Sequence, residues 1–161
     1  MKPIQQTYLI DATPAQVWRA LTDPEIIAEW SGADAEFEPT VGAEYALWDG
    51  GIVGQIVEVV PNKKLVQTWM PDSWMREDSV VTFTLTPVGK QTQVDLLHEN
   101  VEGFDYAGTV EGWDAYYLGV IKRMFETKAK KAVRVKAAKA KKVTAKKKPV
   151  ADSAKKSTKK K

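Results

Sequence analysis

His98 is the one histidine of this 161-residue sequence and the side chain best suited to acid–base chemistry near neutral pH. Glu99 and Asp114 are the acids that could orient its imidazole ring. Glu99 is a weak partner, because neighbouring side chains on a strand point to opposite faces. The sequence has no cysteine, and a single histidine supplies no metal cluster. We therefore predict no catalytic residue, no metal site and no cofactor, and favour binding over catalysis.

The tryptophan residues are the second feature with functional potential. Five of them could line an apolar cavity: Trp30, Trp48, Trp69, Trp74 and Trp113. Aromatic residues also dominate ordinary protein cores, so core packing is the alternative interpretation. The segment 69–75, WMPDSWM, is apolar yet broken by proline, which favours a loop. Such a loop could cover a cavity entrance or dock a partner, and Phe104 and Tyr106 are similar candidates.

The charges divide the chain into an acidic body and a basic tail. Residues 1–126 contain 8 Lys/Arg and 20 Asp/Glu, whereas residues 127–161 contain 16 Lys/Arg and one acid, Asp152. We predict two parts, a folded domain over 1–126 and a Lys/Ala-rich tail over 127–161, partly helical or disordered. Lys and Ala favour helix, so the last body helix is expected to continue to about Lys142, before Pro149 stops it.

The tail could bind a nucleic acid or another polyanion through counterion release. The candidate side chains are Lys139, Lys141, Lys142, Lys146, Lys147 and Lys148. No aromatic residue lies among them, so base stacking is not expected. A solvated tail, or one that contacts its own acidic body, are the alternatives.

The elements that must position these residues begin with a strand over 4–10. Thr13, Pro14 and Gln16 then predict a capped helix start, and Asp23 followed by Pro24 predicts a second helix that ends near Gly32. Each helix has about two turns, too few for stability in isolation. They must therefore pack on a larger element.

That larger element is a predicted antiparallel sheet. The strands are rich in β-branched and aromatic residues and are separated by turn signals; they are expected over 43–49, 52–60, 64–70, 79–86 and 91–98, with a short strand over 36–39. Gly54 predicts a bulge or bend. From Val110 onward, Trp113, Tyr117 and Ile121 share one face of a long helix. The fold class is therefore α+β, with helices segregated from the strands.

These segments resemble a known family. TPAQVWRALTDPEIIAEW, FEPTVGAEYAL, GQIVEVVPNKKLVQTW, TQVDLLHENV and GWDAYYLGVIKRM resemble the activator of Hsp90 ATPase homologue 1-like family. That family belongs to the START-like, Bet v 1-like (SRPBCC) superfamily. The resemblance runs from about Ile4 to Phe125, with Ala43 standing where the family usually has a glycine. It implies a helix-grip fold, in which a curved antiparallel sheet wraps a long C-terminal helix and two short helices follow the first strand.

The resemblance also implies an apolar cavity between the sheet and the long helix. The residues expected at the cavity or its mouth are Trp30, Trp48, Trp69, Trp74, Phe83, His98, Phe104, Trp113, Tyr117 and Ile121. The first hypothesis is a domain that binds a small apolar ligand there. The second is a chaperone-activator-like interaction module, and the third is a nucleic-acid-associated protein tethered by its tail. No apolar run is long enough for a membrane span, and no signal peptide is evident, so a cytoplasmic protein is expected.

Overall fold

The computed structural model describes the backbone of residues 2–159 and the side chains of residues 2–139. Contacts divide the chain into two compact units, Met1–Glu126 and Thr127–Lys161. The first unit contains the sheet, the two short helices and the start of the long helix. No helix within the described residues is long and apolar enough to cross a membrane.

The N-terminal elements form where their local signals predict them. Strand β1 (Ile4–Ile10) leads to helix α1 (Pro14–Thr22), whose cap is Thr13. The Thr13 hydroxyl accepts from the Gln16 backbone N–H, and the Gln16 side chain accepts from the Thr13 N–H, so the capping box is complete. Helix α2 (Pro24–Ser31) begins at the Asp23 cap and ends at Gly32, which adopts the left-handed conformation.

The other strands are β2 (Glu44–Leu47), β3 (Ile52–Val60), β4 (Lys64–Thr68), β5 (Met70–Pro71), β6 (Val80–Val88) and β7 (Gln91–Glu99). Together with β1 they form one seven-stranded sheet with the order β1-β7-β6-β4-β3-β2, and β5 pairs with β3. Each pairing is antiparallel. The prediction of an antiparallel α+β sheet is confirmed.

The sheet differs from the sequence prediction at four places. The strand predicted over 64–70 is interrupted at Trp69, and Met70–Pro71 of the predicted loop 69–75 pair with β3 as β5. Residues 36–39 form a single bridge, Glu36 to Ala46, rather than a strand. The strand predicted over 43–49 ends at Leu47, where the backbone turns. The bulge lies between Ile56 and Glu58 rather than at Gly54. Gly54 is needed for close approach instead, because a Cβ atom there would collide with Thr68 O and the Tyr45 ring.

The C-terminal helical segment has three parts in continuous sequence. These are α3 (Tyr106–Gly112), a π-helical turn (Trp113–Tyr117) and α4 (Leu118–Lys159). The helix therefore begins four residues before Val110. The expected end near Lys142 is wrong, since the helical backbone continues through Pro149 to Lys159. A proline removes one helical hydrogen bond, and the Lys and Ala residues around it favour helix.

The core lies between the sheet and the helices. One face of β6 and β7 contributes Val81, Phe83, Val94 and Leu96, all nearly inaccessible to solvent. The helical side of the same core contains Val17, Leu21, Ile27, Trp113, Tyr117, Leu118 and Ile121. The predicted burial of Trp113 and Tyr117 is thus confirmed. Packing of this kind positions one end of the helical segment against β3 and β5.

Candidate ligand pocket

An open pocket of about 240 Å³ lies between the β3–β5 end of the sheet and the helical segment. Its lining is mostly apolar and aromatic, as in many small-molecule sites. The lining residues are Trp48, Ile52, Trp69, Pro71, Asp105, Thr109, Gly112, Trp113, Tyr116 and Tyr117. Four of the predicted cavity residues therefore meet here, namely Trp48, Trp69, Trp113 and Tyr117.

Trp48 is held at the pocket by a strained turn. It lies in the 3₁₀ turn Trp48–Gly50, and both Trp48 and Asp49 have positive φ angles, 48° and 54°. A positive φ is rare for a bulky residue and costs of the order of 1–3 kcal/mol. The Gly51 N–H donates to Trp48 O at 3.0 Å, and the Asp72 N–H donates to Gly51 O at 3.0 Å. These bonds tie the turn to the loop after β5.

The π turn supplies the helical wall of the pocket. The Leu118 N–H donates to Trp113 O, five residues earlier, and the turn contains Trp113, Tyr116 and Tyr117. Gly119 permits this geometry, because a Cβ atom at that position would collide with the Asp114 carbonyl. Inserted turns of this type occur often at functional sites.

The aromatic rings of the pocket are inclined to one another. Trp69 and Trp113 have ring centroids 4.8 Å apart with an interplanar angle of 36°, and Trp113 and Tyr117 are also 4.8 Å apart with an angle of 55°. Trp48 meets Tyr117 at 5.9 Å and 67°. The pocket therefore has aromatic surfaces that face in several directions rather than one flat stack.

Asp105 is the only carboxylate among the residues that line the pocket. Its Oδ2 atom accepts a hydrogen bond from Trp74 Nε1 at 2.8 Å, and its backbone oxygen accepts from the Thr109 hydroxyl at 2.8 Å. Trp74 is therefore a buried support for Asp105 and lies outside the lining. Phe104, its neighbour in sequence, is 73% exposed and also lies outside the lining.

His98 lies in the closed core beside the pocket rather than in its lining. Trp113 Nε1 donates to Nδ1 at 3.1 Å, which leaves the proton on Nε2, 2.9 Å from Ser79 Oγ. The Ser79 hydroxyl in turn donates to the Glu99 carbonyl at 3.2 Å. Burial lowers the pKa of His98 to about 3, so the ring is neutral near pH 7. This bonding describes a structural histidine whose two nitrogens are both occupied.

The other predicted cavity residues fill the same core. Phe83 and Ile121 are fully buried, and Phe83 stacks on Tyr117 at 5.7 Å. Trp30 contacts Tyr117 at 4.8 Å, and its Nε1 donates to Ala20 O at 2.8 Å. These described side chains therefore fill much of the space between sheet and helix, and the pocket lies at one end of it.

A polar spot lies in the buried interior next to the pocket. Both polar atoms of the Gln67 amide and the Tyr117 hydroxyl are buried without a hydrogen bond of acceptable geometry. Burial raises the pKa of Tyr117 well above its ordinary value, and the nearby Gln67 amide opposes that shift only in part. A buried polar group left unpaired costs about 1–3 kcal/mol.

Sequence reasoning missed six lining residues: Ile52, Pro71, Asp105, Thr109, Gly112 and Tyr116. The spacing of Asp105, Thr109 and Gly112 places them on one helix face. That regularity was available in the sequence. Tyr116 was harder to predict, because the π turn is what brings both Tyr116 and its sequence neighbour Tyr117 into the same lining.

Among the described side chains, no basic candidate lines this pocket. Lys139 is exposed, whereas the other five predicted lysines, Lys141, Lys142, Lys146, Lys147 and Lys148, lie outside the described side chains. Among the described residues, no group of three or more His, Cys, Asp or Glu side chains could hold a metal ion.

Comparisons with known proteins agree with this architecture. The human protein "Activator of 90 kDa heat shock protein ATPase homolog 1" is 29% identical over 124 residues, which cover 76% of this chain and 36% of that protein. The chain thus spans about a third of the length of the curated relatives it matches.

Solved structures match over most of their own length. An HSP90 activator from Plasmodium falciparum has a TM-score of 0.72 at 26% identity, covering 77% of this chain and 96% of that one. A Mesorhizobium loti protein has a TM-score of 0.67 at 30% identity, covering 78% and 98%. The model of the "Activator of Hsp90 ATPase homolog 1-like protein" family matches residues 11–126. The chain therefore belongs to the activator of Hsp90 ATPase homolog 1-like family.

Proposed function

We propose that this domain binds a small, largely apolar ligand in the pocket between β3, β5 and the helical segment. The observation that carries this proposal is the open, aromatic-lined pocket of about 240 Å³. An open cleft with a mostly apolar, aromatic lining is the usual form of a small-molecule site. Here Tyr116 stays 69% exposed at the rim.

The residues divide into walls and supports. Trp48, Trp69, Trp113 and Tyr117 are the aromatic walls, and Ile52 and Pro71 complete the sheet side. His98 acts indirectly as a support, because it accepts the Trp113 indole N–H and so fixes that ring. A cytoplasmic location remains part of this proposal.

Blocking the pocket tests the proposal. The neutral dye N-phenyl-1-naphthylamine should bind the full chain with increased fluorescence. Thr109→Phe places a ring in the lining and should abolish binding, whereas Ala107→Phe, at an exposed position of the same helix outside the lining, should not. Equal dye binding by the two variants, or no dye binding by the parent chain, would overturn the proposal.

Chaperone contact is the second candidate. It is supported by the relatives, which are named activators of the 90 kDa heat shock protein ATPase, and by two exposed apolar side chains. Met75 is 92% exposed and Phe104 is 73% exposed. Met75→Ser with Phe104→Ser should weaken binding of purified Hsp90 at least tenfold. Val41→Ser, at another exposed apolar position, is the control. Unchanged Hsp90 affinity in the double variant would remove this surface from consideration.

Polyanion binding by the tail is a separable third proposal, supported by the 16 Lys/Arg of residues 127–161. Replacing the six candidate lysines with Gln should weaken the dependence of DNA affinity on salt. The slope of log affinity against log salt concentration should become less negative by up to about five. The control replaces Lys2, Lys63 and Lys90 of the body with Gln, which should leave the slope unchanged. A slope that does not change in the six-site variant would contradict a DNA-binding tail.

A further inference from the structure

We propose that the pocket selects an alkylated ammonium ion, a small organic cation whose charge is covered by methyl or methylene groups. This inference rests on the proposed ligand-binding function and specifies the chemical class of the ligand. It is carried by the combination of inclined aromatic rings with one carboxylate in the same lining.

Aromatic surfaces form most of the pocket lining. Five aromatic side chains line the pocket, namely Trp48, Trp69, Trp113, Tyr116 and Tyr117. Neighbouring rings among Trp48, Trp69, Trp113 and Tyr117 meet at angles from 36° to 67°, so the ring surfaces that border the pocket are not coplanar. Aromatic faces carry negative electrostatic potential and attract cations within about 6 Å of the ring centre, tryptophan most strongly.

The pocket lining also carries a negative charge, that of Asp105. Asp105 brings a carboxylate into this lining, and no Lys or Arg is among the described residues that form it. The Trp74 indole N–H that bonds Oδ2 is a neutral donor, so it orients the carboxylate without cancelling its charge. A purely apolar ligand would gain nothing from this charge and would help to desolvate it, which is unfavourable. A cation with an alkyl surface satisfies both the rings and the carboxylate.

The electrostatic field of the whole domain also favours cations. Residues 1–126 carry 20 acidic side chains against 8 basic ones, so the domain attracts cations and repels anions. Trp48 is kept at the pocket despite its positive φ, and the π turn adds Trp113, Tyr116 and Tyr117. Two irregular pieces of backbone thus bring rings to the same small volume, which favours a compact cation over a long lipid chain.

A pair of matched ligands tests this inference. Choline and 3,3-dimethyl-1-butanol have the same shape and differ in the central nitrogen or carbon, and therefore in charge. We expect choline to bind the full chain about tenfold more tightly, measured by NMR titration of the tryptophan indole N–H signals at fixed ionic strength.

Two variants sharpen the test. Asp105→Asn keeps an acceptor for Trp74 and removes the charge, so in this variant choline should bind no more tightly than the alcohol does. Glu111→Gln removes an equal charge at an exposed position outside the lining and should alter neither affinity beyond twofold.

The outcomes separate this inference from the proposed function. Equal affinity for choline and the alcohol, or dye binding without choline binding, would overturn the cation preference and leave an apolar site. Failure of the dye and both ligands would overturn the proposed function as well. If choline binds, co-sedimentation with phosphatidylcholine vesicles assigns the ammonium group to a lipid headgroup, and its absence assigns it to a free cation.

Discussion

The closed core around His98 and the open pocket beside it are built from the same kinds of side chain. Trp113 and Tyr117 belong to both regions, since they contact Phe83 in the core and also line the pocket. In the core, Phe83 and His98 are fully buried, and the His98 nitrogens are hydrogen-bonded. In the pocket, Tyr116 is exposed and the rings enclose open space.

The difference lies in the backbone rather than in residue type. Regular strands carry Phe83 and His98 in the closed core, whereas the left-handed turn at Trp48 borders the pocket. The π turn of Trp113 and Tyr117 contributes to both regions. Strain and irregular helix are common where a protein holds side chains for a function. An aromatic cluster alone is therefore a poor guide to a binding site, and backbone irregularity beside it is a better one.

The largest expected difference between the two regions is in stability. Phe83→Ala removes a fully buried ring and should lower the free energy of unfolding by about 3–5 kcal/mol. Tyr116→Ala, in the pocket rim, should change it by less than about 1 kcal/mol. Urea denaturation measures both. Similar costs for the two variants would mean that the pocket is as tightly packed as the core.

Acid should destabilise the fold through His98 in the core. The pKa of folded His98 is about 3 and its ordinary value is 6.5, so between these pH values the unfolded chain binds a proton that the folded chain does not. The free energy of unfolding should therefore fall as the pH is lowered through this window, by roughly 3–5 kcal/mol from this group.

The matched variant for the pH experiment is His98→Gln. It should be less stable than the parent chain at pH 7.5, and its denaturant midpoints should show a shallower dependence on pH between 6.5 and 4. Equal pH dependence of the two proteins would contradict the assignment of a buried neutral imidazole.

The π turn can be tested with two glycines on one helical segment. Gly119→Ala sets a Cβ atom against the Asp114 carbonyl and should cost about 1–3 kcal/mol of unfolding free energy, with loss of dye binding. Gly112→Ala places its Cβ atom 3.9 Å from Tyr116 Cδ2 and should stabilise the helix by about 0.5–1 kcal/mol. Thermal denaturation distinguishes the opposite signs, and a stabilising Gly119→Ala would argue against the inserted turn.

The smallest effect is expected where core and pocket meet. Gln67→Met replaces a fully buried amide that lacks hydrogen bonds with an apolar side chain of similar length. It should raise the free energy of unfolding by about 1 kcal/mol, because no hydrogen bond is lost and a desolvated polar group is removed. A loss of stability would instead reveal a partner for the amide, such as an ordered water molecule.

Local chemistry explains which features could be predicted from the sequence. Thr13, Pro14 and Gln16 predict their helix because the cap is made within four residues. The alternation of Val81, Phe83 and Leu85 with threonine predicts the buried face of β6 for the same reason. The class of fold and its family followed from such segments combined along the chain.

The pocket was less predictable because it depends on deviations from regular geometry. The sequence pattern predicts that Trp48 lies in a strand, and no neighbouring residue indicates that a tryptophan here would adopt a positive φ. From the sequence, Asp105 is an ordinary acidic residue of a loop. Its orientation depends on a hydrogen bond from Trp74, 31 residues earlier in the chain. Regular periodicity found the face of Trp113, Tyr117 and Ile121 but not Tyr116, because the π turn changes the relation between neighbouring faces.

The five-residue turn at Trp113–Tyr117 has a consequence for how this helix tolerates change in length. Each residue of an α-helix advances about 100° around the axis, and a π turn is equivalent to one residue inserted into an otherwise regular spiral. Deleting one residue there would restore a regular spiral and leave Asp105 and Thr109 facing nearly the same way relative to Leu118 and Ile121. Forcing the turn into regular α-helix without a deletion would instead rotate them by roughly a quarter-turn. The π turn thus accommodates one additional residue in this helix, so that the parts before and after it keep the faces with which they meet the pocket and the core.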